Sequence, residues 1–301
     1  MPQYVDMKVL LKVFINKSSI HTQVQTIMDK NEVWGTEDTK YWLLKAVQMI
    51  DLTTLAGDDT QSNVFRLCMK AANPLSSKVI HKLKLSQNVR TAAVCVYPNR
   101  VSDAYTALSK LELNKVINVA SVATGFPSGL YPLESRLQEI KFAISQGANE
   151  IDVVLDRSLV LMGKWDQLYL EVKEMKDACG NAHLKVILGV GELGTYENVY
   201  KASMVSMMAG ADFIKTSTGK EAVNATLEVG LVMCRAIRKF YEMTGSKVGL
   251  KPAGGLKTPQ DAINWLVLVH NELGEEWLTP QLFRFGASSL LDAMVKQLES
   301  Y

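Results

Sequence analysis

The sequence predicts an α/β chain folded as a (β/α)8 barrel, and three observations lead there. Eight short apolar runs rich in β-branched residues recur along the chain. Their centres span about 232 residues in seven steps, roughly 33 residues each, the length of one strand–helix–strand repeat. Stretches with helical periodicity fill the intervals, and the runs are apolar almost throughout, as strands buried on both faces of a parallel sheet are. A doubly wound sheet would leave two or three of the runs without a place.

Residues 1–47 read as an N-terminal helical extension. Val9, Leu10, Val13 and Phe14, and later Trp42, Leu43, Ala46 and Val47, fall at helical spacing. Residues 48–301 form the barrel. Its strand runs centre on Met49–Leu52, Ala92–Val96, Asn118–Val122, Glu150–Val154, Leu184–Leu188, Asp212–Lys215, Lys247–Leu250 and Leu282–Phe285. Between them, Asp59–Ala72 sets Val64, Leu67 and Cys68 on one helical face. Glu134–Gln146, Tyr196–Met208 and Thr226–Met243 repeat the pattern. Gly147, Gly180, Gly210 and Gly245 follow helical stretches, where a left-handed cap is wanted.

Composition narrows the function classes. One barrel of about 250 residues plus an extension accounts for 301 residues. A 48% hydrophobic content excludes a largely disordered chain. Lys+Arg 33 against Asp+Glu 31 leaves a net charge of +2, which supports neither nucleic-acid nor membrane-surface binding. Cys68, Cys95, Cys179 and Cys234 form no CxxC pair, and His21, His81, His183 and His270 are scattered, so no metal site or disulfide framework is expected. Asp6, Lys8 and Lys12 interrupt the apolar N-terminus, unlike a signal peptide. The uncharged stretch Val116–Leu133 contains Gly125, Pro127, Gly129 and Pro132, so it is no spanning helix. A cytoplasmic location is expected, with entry into the nucleus left open.

Two glycine motifs invite a nucleotide reading. Gly189-Val190-Gly191-Glu192-Leu193-Gly194 matches GxGxxG between a strand and a helix, which makes a nicotinamide oxidoreductase a rival hypothesis. The ribose-binding acid expected at the end of the next strand is missing, because that strand ends in Lys215-Thr216-Ser217. A glycine-rich turn at the barrel rim is the simpler reading. Gly219-Lys220 fails as a phosphate loop, since Ile214 stands where its first glycine belongs and Glu221 where its Ser or Thr belongs.

The chemistry is sought among charges at strand ends, which point into a barrel's mouth. Asp51 ends the first strand, Asp152 lies in the fourth, Lys215 ends the sixth and Lys251 ends the seventh. Two lysines and two carboxylates in one low-dielectric cavity are costly for structure alone, and perturbed charges cluster where chemistry happens. A lysine freed of its proton by burial and a neighbouring cation can attack a carbonyl and form a Schiff base. One lysine would be the nucleophile and the other the perturbing charge, and spacing does not choose between them. Asp152 would shuttle protons. Such chemistry needs no cofactor or metal. Gly254-Gly255 after the seventh strand and Gly286-Ala287-Ser288-Ser289 after the eighth sit where barrels bind phosphate.

With these residues in place, the sequence resembles the deoxyribose-phosphate aldolase family of class I aldolases, from about Trp42 to about Leu298, and is most like its longer animal form. The resemblance rests on Ile50-Asp51-Leu52-Thr53-Thr54-Leu55, Val94-Cys95-Val96-Tyr97-Pro98, Ser121-Val122-Ala123-Thr124-Gly125-Phe126-Pro127 and Glu150-Ile151-Asp152-Val153-Val154. Further along it rests on Phe213-Ile214-Lys215-Thr216-Ser217-Thr218-Gly219-Lys220, Lys251-Pro252-Ala253-Gly254-Gly255 and Phe285-Gly286-Ala287-Ser288-Ser289. It implies a TIM barrel and reversible cleavage of 2-deoxy-D-ribose 5-phosphate to D-glyceraldehyde 3-phosphate and acetaldehyde, in deoxyribose-phosphate catabolism. It makes Lys215 the Schiff-base lysine, Lys251 the proton-exchanging cation that lowers the pKa of Lys215, and Asp152 the proton donor and acceptor. It places Asp51, Thr53, Cys95 and Thr218 at the substrate. Gly219, Lys220, Gly254, Gly255, Lys257, Ser288 and Ser289 fall at its phosphate. The implied partners are a phosphosugar and small aldehydes, with a homodimer compatible and neither nucleic acid nor membrane expected.

The chain departs from the family's pattern in places. Gly189-Val190-Gly191-Glu192-Leu193 stands where many members carry Glu-Thr-Gly-Glu-Leu, so Gly189 removes a rim carboxylate. Lys257 stands where bacterial members usually carry arginine, keeping the charge without the bidentate fork. Tyr301 ends the chain about a dozen residues after Ser289, and no catalytic role is assigned to it. A catalytically silent barrel that docks partners through residues 1–47 is the remaining alternative.

Overall fold

The computed structural model describes residue 10 and residues 13–30, 36–85 and 89–301. Eight parallel strands follow one another around a barrel: β1 (Ile50–Thr53), β2 (Ala93–Val96), β3 (Asn118–Ala123), β4 (Glu150–Val154), β5 (His183–Ile187), β6 (Phe213–Lys215), β7 (Gly249–Lys251) and β8 (Phe285–Ala287). Each pairs with its sequence neighbour, and β8 pairs with β1. Bridges Leu250↔Phe283 and Ala253↔Gly286 close the ring between β7 and β8. There the Arg284 N–H donates to the Leu250 carbonyl at 3.0 Å and the Gly286 N–H to Pro252 at 2.9 Å. All eight expected strand runs are present, each shifted by no more than a few residues.

Two helices, α1 (Lys17–Asp29) and α2 (Thr36–Gln48), precede the barrel. The outer layer is α3 (Gln61–Ala72), α4 (Ser77–Lys82), α5 (Val101–Lys110), α6 (Leu133–Ser145), α7 (Arg157–Leu161), α8 (Trp165–Cys179), α9 (Tyr196–Met208), α10 (Leu227–Thr244), α11 (Pro259–Leu273) and α12 (Leu290–Ser300). Val13 and Phe14 were expected in a helix and are not: α1 begins only after Asn16, whose side chain accepts from the Ser19 N–H and caps it. The parts of the expected helical extension at residues 1–9, 11–12 and 31–35 lie outside the described residues. Helix α1 packs on α10 and α11, and α2 on α11 and α12. The Ile15 N–H donates to Glu197 of α9 at 2.9 Å. Gly245 ends α10 in the left-handed conformation (φ 70°), as its position suggested.

Most of the core lies between strands and helices, where Leu, Ile and Val side chains are fully buried. Each contributes about 1.5–3 kcal/mol on leaving water. The barrel interior differs. Its apolar part is small, built from Ala93, Cys95, Ala120, Val122, Phe126, Val154 and Ile187. The rest is ionic, because period-two alternation turns Asp51, Glu150, Asp152, Lys185, Lys215 and Lys251 inward. Adjacent-strand register then sets Asp152 beside Lys185 and Lys215 beside Lys251. Gly249 makes room for the Phe213 ring, which lies 2.3 Å from where a Cβ would stand.

Candidate active site

At the C-terminal mouth of the barrel a cavity of about 430 Å³ opens between the loops after β1, β6, β7 and β8. Lys215 forms part of its floor. Thr53 and Thr218 line it, as do all seven residues expected at a phosphate: Gly219, Lys220, Gly254, Gly255, Lys257, Ser288 and Ser289. A wider hollow of about 680 Å³ lies beyond Ala56, against Tyr97, Arg100 and Glu139, and no lysine lines it. The lysine chemistry therefore belongs to the smaller cavity.

Below the floor the charges interlock. Lys215 Nζ lies 2.9 Å from Asp152 Oδ2, and Lys251 Nζ lies 2.7 Å from the same oxygen. Lys251 also donates to Asp51 Oδ2 at 2.5 Å. Asp152 Oδ1 accepts from Lys185 at 2.9 Å. Lys185 reaches Glu150 Oε2 at 2.6 Å. Arg284 joins Asp51 (2.6 Å) to Glu150 (2.7 Å). Four cations thus meet three carboxylates, every one of them buried. Asp51 and Cys95 were expected to face substrate but do not line the cavity. The Asp51 carboxylate is taken up by Lys251 and Arg284, and Cys95 is packed in the apolar part of the interior.

The two candidate lysines are not equivalent. Burial lowers the proton affinity of Lys215, and Lys251 adds to that, outweighing the pull of Asp152. Burial acts on Lys251 in the same sense, but Asp152 and Asp51 together overcome it and hold Lys251 above the ordinary lysine range. Lys185 is likewise raised, by Asp152 and Glu150 against burial. Burial would raise Asp152, yet Lys185, Lys215 and Lys251 keep it well below the usual carboxylate range. Burial pushes the Cys95 thiol up.

The loop after β6 is tied to itself. Glu221 accepts from the Thr218 N–H (3.0 Å), the Thr218 hydroxyl (2.6 Å) and the Gly219 N–H (3.2 Å). The Lys220 N–H donates to the Thr218 hydroxyl at 3.0 Å. Gly219 lines the cavity, and its amide donates to Glu221 in this structure. Gly254, at φ 81°, leaves room for the Asn224 side chain, 2.6 Å from where a Cβ would stand. The Gly189–Gly194 segment is a rim turn. Gly189 adopts φ 66°, and Gly191 lies so close to the Val223 carbonyl that a Cβ would meet it at 2.1 Å. Gly191 thus serves contact between the loops after β5 and β6, while a Cβ at Gly189 would meet the Arg157 side chain 2.5 Å away. Tyr301 lies outside the cavity lining, with the Lys40 ammonium 5.4 Å from its ring centre and Gln297 donating to its hydroxyl.

Comparison with known proteins decides the family. A family model described as DeoC/LacD family aldolase matches residues 45–295. The chain belongs to this family. A mouse protein named deoxyribose-phosphate aldolase is 55% identical over 295 residues, covering 98% of this chain and 92% of its own length. The human protein of that name is 53% identical with the same coverage. Among solved structures, a putative deoxyribose-phosphate aldolase from Toxoplasma gondii superposes with a TM-score of 0.75 at 22% identity, covering 87% of this chain and 96% of the other, which supports the barrel fold. As an aldolase of this family, the protein is a carbon–carbon lyase on a TIM barrel.

Four participants were not singled out in the sequence: Lys185, Glu150, Arg284 and Glu221. For the first three a signal existed. Lys185 stands between Leu184 and Val186, Glu150 two residues before Asp152, and Arg284 between Phe283 and Phe285. A charge inside an apolar strand run must find partners in the interior. Glu221 carries no such mark, since a carboxylate in a loop is ordinary.

Proposed function

We propose that this protein reversibly cleaves 2-deoxy-D-ribose 5-phosphate to D-glyceraldehyde 3-phosphate and acetaldehyde through a Schiff base on Lys215. The observation that carries this reading is the sharing of Asp152 Oδ2 by Lys215 and Lys251, with Lys215 alone of the two bordering the cavity. The mouse and human relatives are named deoxyribose-phosphate aldolase, which supports the substrate.

The uncharged Lys215 amine attacks the C1 aldehyde of the open-chain sugar. Asp152, 2.9 Å away, is the group in reach to take the amine proton and return it to the departing hydroxyl as the carbinolamine loses water. The protonated imine then accepts the C2–C3 bonding pair as that bond breaks. The C3 hydroxyl proton leaves with a base, and glyceraldehyde 3-phosphate is released. Protonation at C2 of the resulting enamine, followed by addition of water, frees acetaldehyde and restores the amine. Lys251, held charged by Asp51 and Asp152, lowers the proton affinity of Lys215 and donates to the Asp152 oxygen through which the proton moves. The phosphate would rest among Lys220, Lys257, Gly254, Gly255, Ser288 and Ser289, which line the cavity. A cytoplasmic homodimer acting in deoxyribose-phosphate breakdown belongs to the same proposal.

Reduction with borohydride in the presence of acetaldehyde, followed by peptide mapping, tests the mechanism. An ethyl adduct on Lys215 is expected. Full activity with Lys215 unmodified, or in Lys215→Ala, would overturn it. Turnover of the phosphosugar is measured by coupling glyceraldehyde 3-phosphate release to a dehydrogenase. Sedimentation analysis reads the oligomeric state.

A further inference from the structure

We propose that Glu150 and Arg284 are positioning residues whose opposite charges balance the barrel's ion column so that its one missing proton falls on Lys215. This deepens the proposed function and rests on its reading of Lys215 as the amine that reacts.

The column is a chain of contacts along the barrel interior. From the N-terminal end, Asn118 Nδ2 donates to Glu150 Oε1 at 2.7 Å, and the half-exposed His183 lies 3.9 Å from the same oxygen. Glu150 then pairs with Lys185 and, through both oxygens, with Arg284. Arg284 pairs onward with Asp51, and Lys185 with Asp152. Lys251 bridges Asp51 and Asp152, and Lys215 ends the chain at the cavity. The groups that act on Lys215 directly are Asp152 of β4, Lys251 of β7 and Cys95 of β2, and through them the column extends to Asp51 of β1, Glu150 of β4, Lys185 of β5 and Arg284 before β8.

Among these groups the carboxylates number three and the cations other than Lys215 also number three. With Lys215 uncharged the column is neutral, and a charged Lys215 leaves one buried cation in excess. Uncompensated charge is costly in such surroundings. The vacancy settles on Lys215 because of its contacts. Lys215 has one carboxylate partner, whereas Lys185, Lys251 and Arg284 each have at least two. The downward shift of Lys215 and the upward shifts of the other three agree with this count. Glu150 and Arg284 lie at the far end from the cavity and do not line it, so they act on the reaction only through this balance.

The test reads the titration of the Lys215 amine directly in the full-length protein, by competitive labelling with trace acetic anhydride across pH and peptide mass spectrometry. It needs no turnover, so it stays informative if borohydride trapping fails. Arg284→Met removes a cation, and the Lys215 titration is expected to move up by about one pH unit. Glu150→Gln removes an anion while keeping an acceptor, and the titration is expected to move down by a similar amount. The double variant Glu150→Gln/Arg284→Met restores neutrality and should return it to the wild-type position. Arg284→Lys, which keeps the charge, should leave it in place. An unmoved titration in either folded single variant, or a double variant that follows Arg284→Met, would overturn the proposal. If Arg284→Met does not fold, the downward shift in Glu150→Gln decides alone.

Discussion

Replacing Lys251 with methionine tests the electrostatics of the site most sharply. The substitution keeps an unbranched side chain of similar length and removes the charge. Lys215 and Lys251 hold the same oxygen of Asp152 at 2.9 and 2.7 Å, so their nitrogens lie within about 5 Å of each other. At an effective dielectric constant of about 20, two such charges repel by about 3 kcal/mol, or roughly two pH units. Without Lys251 the Lys215 amine gains that much proton affinity. Asp152 also loses a competing partner and holds the Lys215 ammonium more firmly. The reactive form is the neutral amine, so activity is lost as pH falls through the Lys215 pKa, and raising that pKa moves the acid limb upward. At any pH on the acid limb, kcat/KM should fall about a hundredfold. The assay is a pH profile of kcat/KM between pH 5 and pH 10, with the profile expected to shift up by about two units and most of the loss recovered at high pH. A profile that falls by the same factor at every pH, its acid limb unmoved, would refute the reasoning and give Lys251 a direct role at the reacting atoms.

Three other outcomes are expected. Glu221→Ala frees the Thr218 and Gly219 amides and the Thr218 hydroxyl that it now fixes. With about 1 kcal/mol for each net hydrogen bond in a loop that stays partly ordered, KM for the phosphorylated sugar should rise roughly tenfold, while KM for unphosphorylated deoxyribose stays put. Gly249→Ala sets a Cβ 2.3 Å from the Phe213 ring, which itself lies against the Arg284 guanidinium. Overpacking of this kind costs about 1–3 kcal/mol, so a thermal melt should drop by several degrees. Finally, Asp51, Asp152 and Glu150 are all held below their ordinary values of 3.8, 3.8 and 4.5, because their cations outweigh burial. Such groups contribute stability that is present above the unfolded values and lost as pH falls toward the folded ones. Denaturant titrations should therefore show a steady loss of stability below about pH 4.5, and in Asp152→Asn that acid slope should be shallower.

The fold was legible because a parallel barrel writes itself into sequence twice, as a recurrent apolar run and as a fixed repeat length. Every strand run was found, including the short β6 and β7, buried throughout, and β8, buried at Phe285 and Ala287. The boundary at Val13 and Phe14 was misread because two apolar pairs at helical spacing look alike whether or not the backbone turns. The cap at Asn16 decides it, and a capping asparagine is a local hydrogen bond that periodicity does not weigh. Lys215, Lys251, Asp51 and Asp152 were legible as charges at strand ends. Lys185 and Glu150 were passed over because a charge in the middle or at the start of an apolar run looks like an exception to the pattern, although Lys185 is the register partner of Asp152.

The choice between Lys215 and Lys251 shows where sequence spacing stops. The two face each other as register partners on adjacent strands, so any argument from strand position treats them alike, and family resemblance was needed to separate them. Ring closure breaks the symmetry. Because β8 returns to β1, Lys251 of β7 is brought within reach of Asp51, while Lys215 of β6 is one strand farther round and meets Asp152 alone. A second carboxylate fixes the proton on Lys251, and its absence frees the amine of Lys215 beside the cavity. The difference between a structural cation and a nucleophile thus follows from which strands become neighbours when the barrel closes. Had Asp51 stood on a strand next to β6, the same residue types would have selected the other lysine.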